Sequence, residues 1–431
     1  MLQEFSVANF LSFKEPVTLN LMATGLKELK DTNTFAINMR NRLLKSCAIY
    51  GANASGKSNL YKALTFMGWF IRVSSKESQK GEEIPVIPFK LHKNSLTEPS
   101  SFQVRILKDG IKYRYGFCVT REKIVGEWLY FSKKGKEKML FRREKEVFKL
   151  SKEFSEGQMW TEKTRENALF LSVNAQWNGK YSKEVYDWFV ENIYFVSGEA
   201  ITGLSLNRDL STNFATDEKT NKHFMDIIRS SDIGISRFGT EECSALKDAP
   251  KEIAWIFKDM ASKLNSDLMV KKIKSFHEVY DDNNQVVSEV EFDFDREEST
   301  GTRKLFAVLG PILQGLKNNS VLVIDELDAN LHPIITQYLV KMFNSDQNKH
   351  AQLIINTHDS NLLSNKIFRR DQILFTEKDP YGMSTLYSLA DFEVRSDVAY
   401  EKNYLMGKFG AIPYIGRFSF DQKCDTESVE K

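Results

Sequence analysis

The sequence predicts an α/β fold built on a parallel sheet, with an antiparallel β-rich region inserted into it and a helical subdomain behind that. Three observations predict it. Residues 48–64, AIYGANASGKSNLYKAL, place Gly51, Gly56, Lys57 and Ser58 in a G-x-x-x-x-G-K-[ST] pattern. An apolar run (Cys47, Ala48, Ile49, Tyr50) precedes it and a helix-like run (Leu60, Leu64, Met67) follows, the strand-loop-helix context of a phosphate-binding loop. From about Gly301 to Ser388, helical stretches alternate with the apolar runs VLVID, AQLIINT and DQILFTE, as strands of a sheet buried on both faces do. Between these regions, from about Pro85 to Leu150, the short runs SFQVRIL, IKYRYGFCV, IVGEWLYF and KMLFRR, broken by turns such as KDG, read as an antiparallel meander.

In chain order, residues 4–22 read as two strands joined at Lys14-Glu15-Pro16 and are expected to belong with the nucleotide core. The loop follows. Its glycines let successive N–H groups point into one concavity, the helix start adds partial positive charge, and Lys57 adds a full one. Gly51, Asn53, Ser55, Gly56, Lys57, Ser58 and Asn59 are the expected nucleotide contacts, with the Ser58 hydroxyl placed to ligate Mg²⁺. After the meander, Asp217 to Leu264 turns helical (KHFMDIIRSS, EIAWIFKDMASKL). A hairpin then follows, VKKIKSFHEVY and QVVSEVEFDFD around the turn DDNN. The expected division is 1–70 and 299–431 for the two parts of the nucleotide core, 71–200 for the β-rich insertion and 201–298 for the helical subdomain.

Composition narrows the class. The 431 residues carry a net charge of +2, so nucleic acid would be met by a local patch and not by the field of the whole molecule. Four separated cysteines with no C-x-x-C argue against a zinc site or a disulfide framework and fit a reducing cytosol. The start, MLQEFSVANFLSFKEP, alternates as a strand and lacks the basic and apolar regions of a signal peptide. No run approaches a membrane span, so a cytoplasmic location is expected. There is no internal repeat and no heptad run.

The rest of the chemistry lies downstream. In NNSVLVIDELDANLHP, a buried strand ends in Asp325 and Glu326, at the edge where parallel sheets bind ligands. Asp325 is expected to hold Mg²⁺ through its water shell, and Glu326 to orient or deprotonate an attacking water. LIINTHDS is a second strand that ends at His358, within reach of a γ-phosphate from the same edge. In DREESTGTRKLFAVL, Ser299, Gly301 and Thr302 sit where a loop enters a helix, which makes both a helix cap and an anion site.

With these residues in place, the chain resembles an ABC-type ATPase of the SMC/RecF/OLD group, and is similar in particular to the AAA-family ATPases of the AbiLi/RloA kind from bacterial phage-defence loci. The likeness runs from FSVANFLSF through the phosphate loop, IPVIPFKL, NALFLSVNAQWN, ESTGTRKL, IDELDANLHP and NTHD to YLMGKFGAIP. It implies ATP and Mg²⁺ as ligands. It also implies a head-to-tail homodimer in which Ser299 and Gly301 of one copy close over ATP held by the other. Gln176, by position only, is the residue it implies for sensing Mg²⁺ and water. Three departures stand out: Ala52 and Ala54 where relatives often carry Pro and Gly, S-T-G-T in the signature, and His332 where many relatives carry Asp.

The resemblance also implies a separate effector, a nuclease or toxin-like protein that the ATPase controls. A transporter, a coiled-coil DNA-tethering ATPase and an ATPase with its own nuclease fit less well. Only residues after Ser388 remain for a nuclease domain, and Asp293, Asp295, Glu377 and Asp379 lie in different parts of the chain. A small-molecule kinase is the rival from another class. Nucleic-acid binding stays open on the basic runs KKGKEKMLFRREKEVFK and KKIK, which equally describe a solvated face.

Overall fold

The computed structural model describes residues 1–76, 81–133, 135–197, 206–217, 219–231, 233–244, 269–395 and 398–413. The chain opens with β1 (Leu2–Ala8) and β2 (Val17–Asn20), paired antiparallel. A single turn, α1 (Lys30–Asn33), leads to the small ribbon β3 (Thr34–Ala36) and β4 (Arg42–Leu44) and then to β5 (Ser46–Tyr50). The phosphate loop connects β5 to α2 (Lys57–Val73). This helix buries Leu60, Ala63, Leu64, Met67, Phe70 and Ile71, the i, i+3, i+4, i+7 stripe of an amphipathic helix. Each fully buried large side chain of that stripe contributes about 1.5–3 kcal/mol.

The meander forms as β6 (Ser100–Lys108), β7 (Ile111–Val119), β8 (Ile124–Ser132), β9 (Lys138–Glu144) and β10 (Val147–Leu150). It does not stand alone. β1 pairs with β6, so one sheet runs β10-β9-β8-β7-β6-β1-β2, and the opening strands belong to this sheet and not to the parallel one. Phe5 and Val7 are apolar on alternate positions and face the same core as Phe102 and Val104, which sets the pairing.

Two helices, α3 (Phe170–Gln176) and α4 (Lys180–Glu191), return the chain to the core. α3 is seated on a buried carboxylate. Glu127, fully buried, accepts from Phe170 N (2.7 Å), Leu171 N (2.9 Å) and the Tyr115 hydroxyl (3.0 Å), while Arg143 donates to Ala168 O (2.7 Å). The α3 backbone donors that no helical carbonyl can satisfy thus find a charged acceptor.

Next come β11 (Ile193–Val196), α5 (Leu206–Thr216), α6 (Asn221–Ser230) and a three-stranded antiparallel sheet. Its strands are β12 (Ile235–Ser244), β13 (Met269–Tyr280) and β14 (Val286–Asp293). The hairpin β13–β14 matches the sequence reading. β12 lies in a stretch read as helical, and EIAWIFKDMASKL falls outside the described residues. The remaining elements are the signature helix (Thr300–Asn318), β15 (Val321–Ile324), the helix Pro333–Phe343, β16 (Gln352–Asn356), β17 (Ile373–Lys378) and β18 (Ser384–Ser388).

The central sheet has the order β11-β15-β16-β5-β17-β18, parallel except for β18. The central strands are mostly apolar because they supply two cores. Cys47 and Ile49 face the core shared with α2 and the antiparallel sheet, whereas Ala48 and Tyr50 face the core built by the signature helix. Val321 and Val323 divide from Leu322 and Ile324 in the same way. All the parallel strands point their C-terminal ends to one edge, and the candidate site lies there.

Candidate functional site: a phosphate loop facing an acid pair

The loop is shaped by what surrounds it. At Gly51 (φ +157°) an added Cβ would lie 2.5 Å from Thr376 O and from Ser55 Oγ. At Gly56 (φ +117°) it would lie 2.5 Å from Ser384 Oγ. Only glycine fits either place. A hydroxyl cluster holds the loop from below: Ser55 Oγ and Thr376 Oγ1 are 2.7 Å apart, Ser384 Oγ donates to Ser55 O (2.6 Å), and Asn59 Nδ2 donates to Ser12 Oγ (2.7 Å). The side chains of Ser55 and Asn59 are therefore engaged with the scaffold, and their backbone N–H groups donate to Ala52 O (3.2 Å) and Gly56 O (3.0 Å). Asn53 is exposed at the loop's outer side. Ala54 sits in the left-handed region at φ +61°, where glycine would be unstrained.

Lys57 Nζ donates to Gly51 O (2.7 Å) and Ala52 O (3.1 Å), so its ammonium lies across the mouth of its own loop. Burial lowers its pKa from 10.5 to about 8, against the pull of Asp325, Asp328 and Glu326. Ser58 Oγ donates to Asp325 Oδ1 at 3.3 Å, and Asn356 Nδ2 donates to the same oxygen at 2.7 Å and to Lys57 O at 3.1 Å. The sequence brings these together from β5's loop, the end of β15 and the end of β16. Adjacent ligands on an octahedral Mg²⁺ with bonds of about 2.1 Å stand about 3 Å apart, so the Ser58 and Asp325 oxygens fit that ion. Among the described residues no group of three or more His, Cys, Asp or Glu side chains is arranged to hold a metal ion.

Glu326 follows with φ +54°, an uncommon conformation for a non-glycine residue, and its side chain is exposed at the sheet edge. Asp328 accepts from His358 N (3.1 Å), which ties the loop after the acid pair to the end of β16. The His358 pKa is lowered, first by burial and then by Lys57, with the three acids opposing, so the imidazole is neutral near pH 7.

At the signature helix, Ser299 Oγ accepts from Thr302 N (3.1 Å) as a true N-cap, and Ser299 and Thr300 are exposed. Thr302 is buried within its own turn. Gly301 lies against the loop after the acid pair, since an added Cβ would be 2.9 Å from Asn330 O. His332, in that same loop, accepts from Ile334 N with Nδ1 (3.3 Å) and caps the helix Pro333–Phe343.

Gln176 does not join this constellation. It ends a helix whose Ser172 hydroxyl donates to Ile71 O, near the C-terminal end of α2. Ile71 is 14 residues from Lys57, about 21 Å along the helix at 1.5 Å per residue. The segment is a helix whose first N–H groups, of Phe170 and Leu171, donate to Glu127. Of the other carboxylates, Asp295 is held by both Nη atoms of Arg208 (2.6 Å each) and Asp293 caps the short helix that follows it. Within the basic runs, Arg143 is buried with Glu127, Arg142 meets Glu144 (2.7 Å), and Lys274 meets Glu291 (2.8 Å).

Three residues were not legible beforehand. Asn356 looked like a polar strand end in LIINTHD. Lys304 looked like part of an ordinary helical pattern, yet it is buried and its pKa is lowered by burial against the pull of Glu326, Asp328 and Asp325. Val196, whose carbonyl accepts from Asp325 N (2.9 Å), lies on β11, a strand of only four residues.

A phosphate loop leading into a helix and an acid pair two strands away on the same parallel sheet define a P-loop NTPase fold. The chain belongs to the AAA family described as "AAA domain, putative AbiEii toxin, Type IV TA system", whose model matches residues 47–364. No curated protein matches it. Among solved structures it is similar to an SmcHead bound to the C-winged helix domain of ScpA, at 13% identity and TM-score 0.43, covering 90% of this chain and 97% of that one. It is likewise similar to the SMC head domain from Thermotoga maritima, at 12% identity and TM-score 0.38 over 91% and 99% of the chains. An Smc head domain with an extended coiled coil, bound to the C-terminal domain of ScpA derived from Pyrococcus furiosus, matches at 12% and 0.41 over 95% and 98%. Among the described residues no helix is long and apolar enough to cross a membrane.

Proposed function

We propose that the protein hydrolyses ATP as a cytoplasmic, dimeric switch of bacterial anti-phage defence, and that it controls a separate nuclease or toxin-like effector. One observation carries the hydrolytic reading: Ser58 and Asp325 meet at 3.3 Å with Lys57 and His358 around them, at the edge where the loop and the acid pair converge. The loop N–H groups and Lys57 bind the polyphosphate. Ser58 and Asp325 hold Mg²⁺, which would supply charge neutralisation between the phosphates. Glu326 orients the water for in-line attack on the γ-phosphate, and neutral His358 donates or accepts a hydrogen bond beside it.

The switch reading draws on the exposed Ser299 turn, which would cover ATP on a second copy, and the effector on the toxin-related family. Glu326→Gln tests the reading. Hydrolysis is expected to fall about 10²–10⁴-fold while ATP stays bound and pairing persists, followed by phosphate release and by sedimentation with ATP. Unchanged hydrolysis removes Glu326 from its role, and a monomer at saturating ATP removes the dimer.

A further inference from the structure

The residue before the signature turn is tied to a different part of the molecule. Glu298 has a side chain only 7% exposed, and its Oε1 accepts from Ser275 Oγ (2.6 Å) and from His277 Nε2 (2.7 Å). A carboxylate can only accept, so both partners donate. Ser275 and His277 are two apart on β13 and so share one face of the strand, and the His277 ring packs on Phe292 of β14 with centroids 4.5 Å apart. The backbone of Glu298 is extended (φ −80°, ψ 151°), outside the helix, so nothing in helical hydrogen bonding fixes it. On the other side of the turn, Arg303 Nη1 donates to Asp295 O (2.9 Å), and Asp295 is clamped by Arg208 of α5. The turn is thus held by the three-stranded sheet and α5 as well as by its own helix.

We propose that Glu298 is a positioning residue for ATP-driven pairing: through Ser275 and His277 it fixes the orientation in which the Ser299 turn meets a second copy's nucleotide, and it makes the β12–β14 sheet a lever on that turn. This rests on the shared-nucleotide reading above. Glu298 touches no nucleotide of its own copy, so its loss affects pairing and leaves ATP uptake by the phosphate loop unchanged.

The experiment uses the full chain carrying Glu326→Gln, with ATP and Mg²⁺, and reads pairing by sedimentation and single-copy ATP affinity by a fluorescent analogue at dilute protein. Adding Glu298→Ala is expected to weaken pairing at least tenfold with ATP affinity unchanged within twofold, whereas Glu298→Gln, which still accepts from Ser275, recovers most of it. A second route, Ser275→Ala with His277→Ala, is expected to reproduce the loss with Glu298 intact. Pairing that survives both changes overturns the inference alone. A parent that does not pair with ATP overturns the shared-nucleotide reading and this inference with it.

Discussion

Asn356 Nδ2 donates to Asp325 Oδ1 at 2.7 Å, the same oxygen that Ser58 Oγ reaches at 3.3 Å. Because Asn356 also donates to Lys57 O, one amide fixes the acid of β15 against the start of α2. It orients the carboxylate proposed above to hold Mg²⁺ and leaves that carboxylate's other oxygen free. Outer groups of this kind are worth about 10–100-fold in metal affinity or activity. Asn356→Leu is expected to lower the ATPase rate by that range and to raise the Mg²⁺ concentration for half-maximal rate, measured by magnesium titration at fixed ATP. A rate loss with an unchanged magnesium midpoint would place Asn356 elsewhere in the chemistry.

The two small residues of the loop differ in what they tolerate. At Gly56 a methyl would lie 2.5 Å from Ser384 Oγ, which is locked to Ser12 and to Ser55 O. Gly56→Ala is expected to cost about 1–3 kcal/mol of stability and to abolish ATP binding. Ala54 is exposed at φ +61°, so Ala54→Gly removes about 1–2 kcal/mol of left-handed strain and costs about 0.5–1 kcal/mol in chain entropy. Its melting temperature and ATP affinity should therefore change little or rise slightly, and thermal unfolding with and without ATP checks both variants.

Gln176→Ala should leave ATP hydrolysis within about twofold of the parent, because α3 packs by the end of α2 away from the phosphate loop. A steady-state rate decides it. A hundredfold loss would require this helix to move to the site in the working state.

The elements legible in the sequence are those whose signal is local. Gly51 to Ser58 needs its own spacing, and β5, β15 and β16 announce themselves as apolar runs because both their faces are buried. What escaped depends on distant partners. β1 and β2 alternate equally well for either sheet, and only the pairing of Phe5 with Val104 decides between them. β11 is four residues long and follows α4 with a single residue, Asn192, between, too short a run to stand out as a strand of its own. Gln176 was assigned by counting after the meander, whereas the buried Glu127, 43 residues before Phe170, determines that the segment is a helix. Lys304 reads as a surface lysine, and only its burial near Asp325, Glu326 and Asp328 shows otherwise.

The charge on Lys57 gives a pH dependence whose sign is fixed. Its pKa in the free protein is about 8, lowered by burial from 10.5, and a bound polyphosphate places several negative charges at its ammonium, which raises it again. Between about pH 8 and 10 the free protein has largely lost this proton and the ATP complex has kept it. Binding then takes up close to one proton, and ATP affinity should fall toward tenfold per pH unit across that window. Below pH 8 both forms are protonated and the dependence from this group vanishes. Stability of the free protein has the opposite sign: the unfolded chain holds the proton up to 10.5, so between pH 8 and 10.5 it binds more protons than the folded one, and folding gains as pH rises. Calorimetry at pH 9 in two buffers of different ionisation heat measures the uptake directly. Lys57→Met should abolish it, and a parent protein that binds ATP at pH 9 with no proton uptake would mean that Lys57 does not meet the phosphates.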